Sequence, residues 1–416
     1  MTTLAVLSLL VWAYLLLAHG RFWQSGPELT PACPVVAPPV TVVVPARDEA
    51  PVIGRTLRSL LAQDYAGPLN IVLVDDGSRD ATGEIARSLT QRIDTPLPPA
   101  GEVAKRSEAG EGLAAAPAPS PGALRRPLPH AGEVLMRQLT VLNGKPRPPG
   151  WSGKLWAVAQ GLDEAGATDL VLLTDADIVH DSRHIATLVA QAESNDLDLV
   201  SEMVTLACDS RAEHALVPAF VYFFQLLYPF AWTNDSLRAT AAAAGGTILM
   251  RRRALQRIGG IAAVRGALID DVALASAVKR GGRIWLGHST LARSVRAYPT
   301  AADIWRMVSR TAYVQLRYSP LLLLGTALAM TLTFLVPPLA ALFAHGLARW
   351  CGWLAWGAMA ASYQPTLHRY RRSVLWAPLL PAVAAFYLAA TIGSALNHHF
   401  GHGVAWKGRA YQSASI

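Results

Sequence analysis

The apolar residues of this chain form long runs near both ends and short, regularly spaced runs between them. Residues 3–19 are almost purely apolar and long enough to cross a bilayer. Residues 321–344 and 374–396 are runs of the same kind, and 349–363 is a shorter candidate. The first run lacks the basic start and the small-residue cleavage site of a signal peptide. The pattern therefore predicts one N-terminal anchor and three C-terminal spans.

Basic residues beside these runs predict their orientation. No Lys or Arg precedes the first run and Arg21 follows it, so the positive-inside rule places the chain after this run in the cytoplasm. Arg369, Arg371 and Arg372, between the last two runs, obey the same rule. Composition agrees with a membrane protein, since 52% of the residues are hydrophobic and 16% are charged. The net charge of +8, carried mostly by arginines, favours an anionic membrane surface over nucleic acid as a partner.

Between the terminal runs, short apolar segments alternate with segments of helical periodicity. The predicted strands are 40–46, 69–78, 138–144 and 169–177, and the predicted helices are 51–63, 80–90 and 153–166. This alternation predicts an α/β domain with a mostly parallel sheet, whose ligands lie beyond the carboxyl ends of the strands.

Residues 91–138 interrupt this alternation. They are rich in Pro, Ala, Gly and Glu, and PLPPAGEV at 96–103 returns as PLPHAGEV at 127–134. Two copies are too few for a repeat fold, and the composition cannot bury enough surface to offset the entropy of ordering. We predict a disordered insertion in a surface loop, with a partner-binding segment as the alternative.

Acidic residues follow three of the predicted strands, in PARDE (45–49), DDGS (75–78) and DAD (175–177). Asp is common in turns and at helix N-termini, but a divalent cation held against a phosphate needs the same hard oxygen ligands. Because parallel strands end at one edge of a sheet, this concentration of acids favours a metal site there. A dinucleotide dehydrogenase would instead need a Gly-rich loop after the first strand, where this chain has PARDEAPVIG.

Together, VVVPARDE, VDDGS, TDAD and IDD (269–271) resemble the inverting family 2 glycosyltransferases, which have the GT-A fold. GWSGK (150–154) and the terminal spans are similar to the membrane-bound lipid glycosyltransferases of that family, above all the bacterial hopene-associated glycosyltransferases, with ceramide glucosyltransferases as more distant relatives. The resemblance covers residues 38–90 and 139–320. It implies a GT-A nucleotide-sugar-binding domain at 38–300.

The resemblance implies roles for the acids. Asp75 and Asp76 would hold the base and ribose of the nucleotide, although a simple turn would also explain them. Asp177, helped by Asp175, would bind Mg²⁺ or Mn²⁺ across the diphosphate and so neutralise charge on the leaving group.

Inversion also needs a base that deprotonates the acceptor hydroxyl opposite the leaving group. The family match places this base at Asp271. Asp270 stands where the family has Glu, which leaves open which acid acts, and it could also be the N-cap of the helix that follows. The resemblance further assigns Pro45, Arg47 and Glu49 to substrate binding.

Two basic residues are candidates for contact with the diphosphate. Lys154 of GWSGK is one, with a solvated lysine as the alternative. Arg310 is the other, but it lies in MVSRT (307–311), where processive relatives have Gln-x-x-Arg-Trp. The missing Trp weakens the case for a processive polysaccharide synthase.

One further apolar run lies inside the catalytic region, because residues 214–232 lack Asp, Glu, Lys and Arg. A single crossing there would put Asp177 and Asp271 on opposite sides of the bilayer, so we predict an interfacial or re-entrant segment that admits a lipid acceptor. The predicted organisation is an anchor at 1–20, the catalytic domain at 38–300 with its insertion at 91–138, an amphipathic interface helix at 301–319 and a transmembrane region at 320–400.

The sequence therefore predicts a metal-dependent inverting glycosyltransferase of the hexosyltransferase type, in several spans of a bacterial inner membrane with its catalytic domain in the cytoplasm. Its partners would be a nucleotide-sugar donor, implied by the family to carry uridine diphosphate, and a membrane lipid such as a hopanoid, with no nucleic acid. The alternatives are a processive polysaccharide synthase and a catalytically silent membrane scaffold that keeps the fold.

Overall fold

The computed structural model describes residues 1–93, 137–166, 168–400, 405–406 and 409–410. The predicted insertion at 91–138 therefore lies almost entirely outside the described residues. Of its two flanks, residues 91–93 belong to a helix and residues 137–138 to a strand.

The strands are numbered in chain order. They are β1 (Val40–Ala46), β2 (Leu69–Asp75), β3 (Arg137–Asn143), β4 (Leu170–Thr174), β5 (Ile178–His180), β6 (Leu199–Thr205), β7 (Thr247–Arg251), β8 (Ile284–Ser294), β9 (Ala405–Trp406) and β10 (Arg409–Ala410). Four of them, β1 to β4, confirm the predicted strands to within a few residues, and the later ones had no counterpart in the sequence pattern.

The α-helices are numbered in the same way. They are α1 (Thr2–Leu17), α2 (Ala50–Leu61), α3 (Thr82–Ile93), α4 (Gly153–Glu164), α5 (His184–Ser194), α6 (Arg211–Leu227), α7 (Phe230–Asn234), α8 (Arg252–Arg257), α9 (Asp270–Lys279), α10 (Ala301–Ser309), α11 (Ala312–Gln315), α12 (Pro320–Met330), α13 (Val336–Phe343), α14 (Gly346–Arg369) and α15 (Leu380–His399). A π-helical turn, Thr331–Leu335, joins α12 to α13, and a 3₁₀ turn, Val374–Leu379, leads into α15.

The central strands form because their residues suit burial on both faces. β1 is rich in valine and β4 is apolar up to Thr174, and both are almost wholly buried between helices, as parallel strands usually are. α2 begins beside Pro51, which is pre-set for the first turn of a helix, and it presents Ile53, Leu57 and Leu60 to this core. The carboxyl ends of β1, β2 and β4 consequently lie side by side.

Sheet order forces the sheet to curl. The order is β3-β2-β1-β4-β7-β6-β8-β5, so β5 lies at the far edge although only three residues separate it from β4. In a flat sheet β4 and β5 would be about 19 Å apart, whereas the chain from Thr174 to Ile178 spans at most about 14 Å. The curl brings Ile178 opposite Ser294, so that Asp177 meets the end of β8.

The sheet is mixed, which corrects the prediction of a mostly parallel one. β1, β2, β3 and β4 pair in parallel, as expected, and so do β6 and β8. β7 runs antiparallel to both β4 and β6, and β5 runs antiparallel to β8. These antiparallel pairings involve strands that the sequence pattern did not reveal, and they close the half of the sheet next to Asp177.

The terminal helices pack on one another. The indole of Trp12 in α1 is fully buried and donates to the carbonyl oxygen of Thr333 at 2.7 Å. That carbonyl lies in the π-helical turn, where backbone bonding departs from the α-helical pattern. In the described part of the chain two helices are apolar and long enough to cross a membrane by length and composition, Pro320–Phe343 and Val374–His399. Two of the four predicted spans therefore coincide with helices that could cross a membrane by length and composition, and the crossing itself stays a prediction.

The apolar run at 214–232 forms α6 and α7, and α6 packs against the C-terminal helices. Ser210 and Glu213 make a capping box at its start. The hydroxyl groups of Tyr222 and Ser362 are 2.7 Å apart, and the ring of Phe223 lies edge-on to Phe334 with 5.5 Å between centroids. α6 thus joins the catalytic sheet to the helices that carry the two candidate spans.

Candidate active site

Lys154 is the centre of a group of ionised side chains at the carboxyl end of β4. Its Nζ atom is 2.9 Å from Oδ1 of Asp175 and 3.3 Å from Oδ2 of Asp270. α4 places it there, because Ser152 caps this helix by accepting from the backbone N–H of Leu155. Burial lowers the pKa of Lys154, but Asp175 and Asp270 outweigh burial and raise it. Lys154 is therefore an ion-paired cation and not a solvated lysine.

Asp271 completes this group, which we call the lysine group: Lys154, Asp175, Asp270 and Asp271. Burial raises the pKa of Asp271 to about 7, with a further rise from Asp270 and an opposing effect of Lys154. Asp270 lies in the first turn of α9, whose N-cap is Ile269, so the alternative of Asp270 as the N-cap is wrong. The lysine group holds a carboxyl group that can exchange a proton near neutral pH.

Gly245 gives the lysine group its space. A Cβ atom at this position would lie 3.2 Å from Oδ2 of Asp271, which is a tight contact, and 3.5 Å from Nζ of Lys154, which is an ordinary one. The cavity at this point is lined by Pro45, Lys154, Asp175, Gly245, Asp270 and Asp271, together with apolar residues of α4, β4 and α9. Pro45 is thus the residue of the first motif that reaches the lysine group.

Asp177 belongs to a second group, the arginine group: Asp177, Ser294, Arg296 and Glu49. Oδ2 of Asp177 accepts from Oγ of Ser294 at 2.9 Å and from Nε of Arg296 at 3.0 Å. Nη2 of Arg296 also donates to Oε1 of Glu49 at 2.6 Å. Burial lowers the pKa of Arg296, but Asp177 and Glu49 outweigh it and keep the guanidinium charged.

Asp75 and Asp76 lie at the end of β2, one strand away from β1. Oδ1 of Asp75 accepts from the backbone N–H of Ser78 at 2.9 Å, which is the turn geometry that the sequence left open. Asp76 is buried, with Oδ2 3.5 Å from Nη1 of Arg47, and the same guanidinium donates to the backbone oxygen of Asp76 at 2.7 Å. Arg47 thus links the carboxyl ends of β1 and β2.

Two tyrosines mark the side of the site that faces the C-terminal segment. Burial raises the pKa of Tyr298, on which Arg296, Asp177 and Arg310 act electrostatically, so the exposed Arg310 lies on the same side as the arginine group. Tyr228 accepts a hydrogen bond from Nε2 of Gln315. Burial is the main reason why the pKa of Tyr228 is raised, and the nearby charge of Asp271 adds to the rise.

A chain of buried polar side chains runs behind the two groups. Nε2 of His180 is 3.3 Å from Oγ1 of Thr174, and that hydroxyl donates to the backbone oxygen of Gly246 at 2.9 Å. Nδ1 of His180 is 2.9 Å from Nδ1 of His184, whose Nε2 is hydrogen-bonded to Glu202. Because Thr174 precedes Asp175, this chain fixes the backbone from which both acidic residues of the 175–177 segment project.

The donor set for a metal ion is incomplete in the protein itself. Among the described residues no cluster of three His, Cys, Asp or Glu side chains is placed to hold a metal ion. Asp175 and Asp177 are close enough for each charge to act on the other, but each is paired with a cation of the chain. Two carboxylates fit a Mg²⁺ or Mn²⁺ ion that takes its remaining ligands from a diphosphate and water.

Arg296 is the charged residue of the site that the sequence analysis missed, together with its neighbour Ser294. It follows β8, and no motif surrounds it in ARSVRAYPT (292–300). Its partners Asp177 and Glu49 lie 119 and 247 positions earlier in the chain. Only the antiparallel pairing of β5 with β8 brings them together, so a basic residue at the end of an apolar strand was the single available signal.

The models of two known families match this chain. The model of glycosyl transferase family 21 matches residues 138–415, and the model of glycosyl transferase family 2 matches residues 41–116. The first match includes both the lysine group and the arginine group except for Glu49, which lies within the second.

Individual relatives are similar over shorter stretches. An N-acetylglucosaminyltransferase of Bradyrhizobium elkanii is 46% identical over 54 residues, which are 12% of this chain and 30% of that protein. An uncharacterized protein of Methanocaldococcus jannaschii is 52% identical over 48 residues, 12% of this chain and 18% of that protein. The chain thus matches less than a third of the length of either relative.

A solved structure shares the fold over nearly the whole chain. It is a mannosyltransferase of Pyrobaculum calidifontis, in complex with GDP-mannose and Mn²⁺, with a TM-score of 0.55 and 20% sequence identity. The alignment covers 95% of this chain and 98% of the mannosyltransferase. The curled mixed sheet is therefore an α/β glycosyltransferase fold, as the sequence predicted in outline.

Proposed function

The chain belongs to glycosyl transferase family 21 and is a glycosyltransferase, and we propose that it transfers a sugar with inversion from a nucleoside diphosphate donor to a hydroxyl group of a membrane lipid. The observation that carries this proposal is the lysine group. It combines a fixed cation, Lys154, with a half-buried carboxyl group, Asp271, whose pKa is about 7. A diphosphate leaving group needs the first, and deprotonation of a hydroxyl needs the second.

Asp271 is the proposed base. A carboxyl group with its pKa near 7 accepts a proton more readily than an ordinary aspartate and is still largely ionised above neutral pH. The acceptor hydroxyl would lie against Asp271 and lose its proton to it as the oxygen attacks the anomeric carbon. Asp270, paired with Lys154, would position Asp271 and support its raised pKa.

The donor would lie between the two groups. Lys154 faces the position proposed for the diphosphate, and Asp75 would accept hydrogen bonds from the nucleoside, with Asp76 and Arg47 holding the strand ends in place. Asp177 and Asp175 would hold Mg²⁺ or Mn²⁺, which when bound neutralises charge on the leaving diphosphate. The neighbour in complex with GDP-mannose and Mn²⁺ supports a nucleotide sugar and a divalent metal, while the family resemblance favours a uridine nucleotide.

A lipid acceptor is proposed because the site adjoins the apolar helices. Tyr228, at the end of α6, is close enough to Asp271 to be affected by its charge, and it accepts a hydrogen bond from Gln315 at the end of α11. α6 in turn packs on α14 and α15, and Val374–His399 is apolar enough to span a bilayer. We propose a multi-pass bacterial inner-membrane protein whose catalytic domain faces the cytoplasm and whose acceptor, such as a hopanoid, reaches Asp271 along this path.

Donor and acceptor assays on the purified full-length protein test the proposal. Hydrolysis of UDP-sugars and GDP-mannose is measured first without acceptor, and transfer is then measured with extracted bacterial lipids and mass spectrometry. We expect Asp271→Asn to abolish transfer, whereas Asp163→Asn, an exposed aspartate of α4, leaves it unchanged. Absence of donor hydrolysis and transfer with every nucleotide sugar would refute the proposal and favour a catalytically silent scaffold.

A further inference from the structure

The proposed metal ligand Asp177 is already bound to a cation of its own chain. Two groups converge on its Oδ2 atom, the hydroxyl of Ser294 at 2.9 Å and Nε of Arg296 at 3.0 Å. Arg296 also binds Glu49 at 2.6 Å, so one guanidinium bridges two carboxylates. A metal ion on Asp177 would therefore stand directly beside a positive charge.

The backbone that carries Arg296 is held on both sides, whereas its side chain is partly exposed. The N–H of Val295 donates to the carbonyl oxygen of Asp177 at 2.9 Å, next to the pairing of β5 with β8. The N–H of Tyr298 donates to Oε1 of the buried Glu213, the capping residue of α6. The Arg296 side chain itself is 35% exposed, so its long side chain can change rotamer while the backbone stays in place.

The charges around the two groups favour the binding of a divalent cation. Glu49, Asp175, Asp177, Asp270 and Asp271 supply five carboxyl groups, and Lys154 and Arg296 supply two positive charges. The carboxylates outnumber the cations whether or not Asp271 is protonated, so the site keeps a net negative charge that a Mg²⁺ or Mn²⁺ ion would offset. A donor diphosphate adds negative charge of its own. It also offers pairs of phosphate oxygens that an arginine can bind with two parallel hydrogen bonds.

We propose that Arg296 is an exchangeable counter-ion of Asp177, which holds this carboxylate while the donor is absent and transfers to the diphosphate when donor and divalent cation bind. The inference rests on the proposed function, which supplies the diphosphate and the metal. The inference assigns a role to Arg296, which lies outside the motifs named in the sequence. Arg296 competes with the metal for Asp177 before the donor arrives and attracts the donor afterwards.

This exchange couples the binding of metal and donor. Without nucleotide, the guanidinium on Asp177 repels a divalent cation, so Mn²⁺ alone binds weakly. With nucleotide, Arg296 leaves Asp177, and the affinity for Mn²⁺ rises. By linkage the affinity for the nucleotide rises by the same factor when Mn²⁺ is present.

The test measures Mn²⁺ binding by electron paramagnetic resonance on the full-length protein in detergent, with and without UDP or GDP. In wild type we expect either nucleotide to tighten Mn²⁺ binding by about tenfold or more. In Arg296→Gln we expect Mn²⁺ alone to bind about tenfold more tightly than in wild type, because the competing charge is gone. We expect the effect of the nucleotide on Mn²⁺ affinity to shrink in the same variant.

Two controls make the result specific. Arg293→Gln removes an exposed arginine of β8, three positions before Arg296, and should leave Mn²⁺ affinity at the wild-type value. Asp177→Asn should abolish the tight Mn²⁺ site, which identifies the signal. If the glutamine variant fails to fold, Arg296→Lys decides, since a lysine keeps the charge but has one nitrogen in place of the two with which Arg296 holds Asp177 and Glu49, and it should show a smaller rise in Mn²⁺ affinity.

Mn²⁺ affinity that is unchanged or lower in the Arg296 variants would overturn the inference, and so would the absence of Mn²⁺ binding to every protein. The comparison with Mn²⁺ alone involves no nucleotide. It therefore judges Arg296 separately from the proposed donor, whose failure would appear as the absence of UDP and GDP binding to wild type.

Discussion

Asp175 and Asp177 are one residue apart, yet they belong to different halves of the site. Between them the backbone turns, with the N–H of Ile178 donating to the carbonyl oxygen of Asp175 at 3.3 Å. Asp175 joins the lysine group, whose other members lie at the beginnings of α4 and α9. Asp177 joins the arginine group, which depends on β5 and β8. A single turn thus distributes two carboxylates between two cations, and each half can be altered separately.

The largest expected effect comes from Asp177. We expect Asp177→Asn to lower transfer on the order of a thousandfold, because an amide is a poor metal ligand and several kcal/mol of transition-state stabilisation are lost. The thermal midpoint of unfolding should change little, since Asn can still accept from Ser294. Asp175→Asn, measured in parallel, tells whether both halves serve one metal, in which case both variants need more Mn²⁺ for half-maximal transfer. Full wild-type activity in EDTA would contradict the metal site.

The next effect comes from the lysine group. Lys154→Met removes the cation between Asp175 and Asp270, which leaves a cluster of carboxylates uncompensated. We expect transfer to fall about a hundredfold and the free energy of unfolding at pH 8 to fall by about 2 kcal/mol. Lys145→Met, an exposed lysine of the preceding loop, is the matched control. Unchanged transfer in Lys154→Met would separate the lysine group from catalysis.

The third expected effect is the dependence of kcat/KM on pH, which tests Asp271 of the lysine group and leaves the metal ligands unchanged. Because Asp271 must be ionised to accept a proton and its pKa is about 7, kcat/KM should rise with pH and level off above about pH 7. Its pKa is higher in the folded than in the unfolded protein, so its contribution to stability is present at low pH and is lost as the pH rises towards 7. Asp271→Asn should abolish this part of the pH dependence of the free energy of unfolding. A profile of kcat/KM that is flat from pH 5 to 8 would contradict the role of Asp271.

The smallest effect is expected from the insertion, because no residue assigned to either half lies within it. Deletion of residues 95–134 should leave transfer and membrane insertion within about a factor of two of wild type, because a loop of this composition contributes little packing. The readout is activity per amount of membrane-extracted protein. A large loss in a well-expressed deletion variant would show that the repeated PLPxAGEV segment acts in catalysis or binding.

The comparison of the halves also explains how much could be predicted from the sequence. Lys154, Asp175, Asp270 and Asp271 all lie in or beside recognisable motifs, and β1, β2 and β4 are apolar segments that the pattern reveals. The strands that form the arginine group are different. β5 has three residues, and β8 pairs with strands far from it in sequence, so its place follows from tertiary pairing that no local pattern encodes.

The terminal helices show the same limit of prediction from local sequence patterns. The apolar runs 321–344 and 374–396 coincide closely with helices that are long and apolar enough to cross a membrane, because such runs carry their own signal. The run at 214–232 likewise lacks Asp, Glu, Lys and Arg, but in this run Tyr222 and Phe223 pack α6 against the C-terminal helices. Composition reports that such residues avoid water, and only their neighbours decide which surface covers them.

The buried chain behind Asp175 has a direction that can be derived atom by atom. Thr174 gives its single hydroxyl proton to Gly246, so it must accept from Nε2 of His180. The Nδ1 atom of neutral His180 then has to accept, which makes Nδ1 of His184 a donor. One further proton therefore lies between His184 and Glu202, whichever of the two carries it. The hydrogen-bonding pattern of both histidines is thus set by the hydroxyl group of Thr174, next to the acids of the site. Thr174, His180, His184 and Glu202 together carry no net charge.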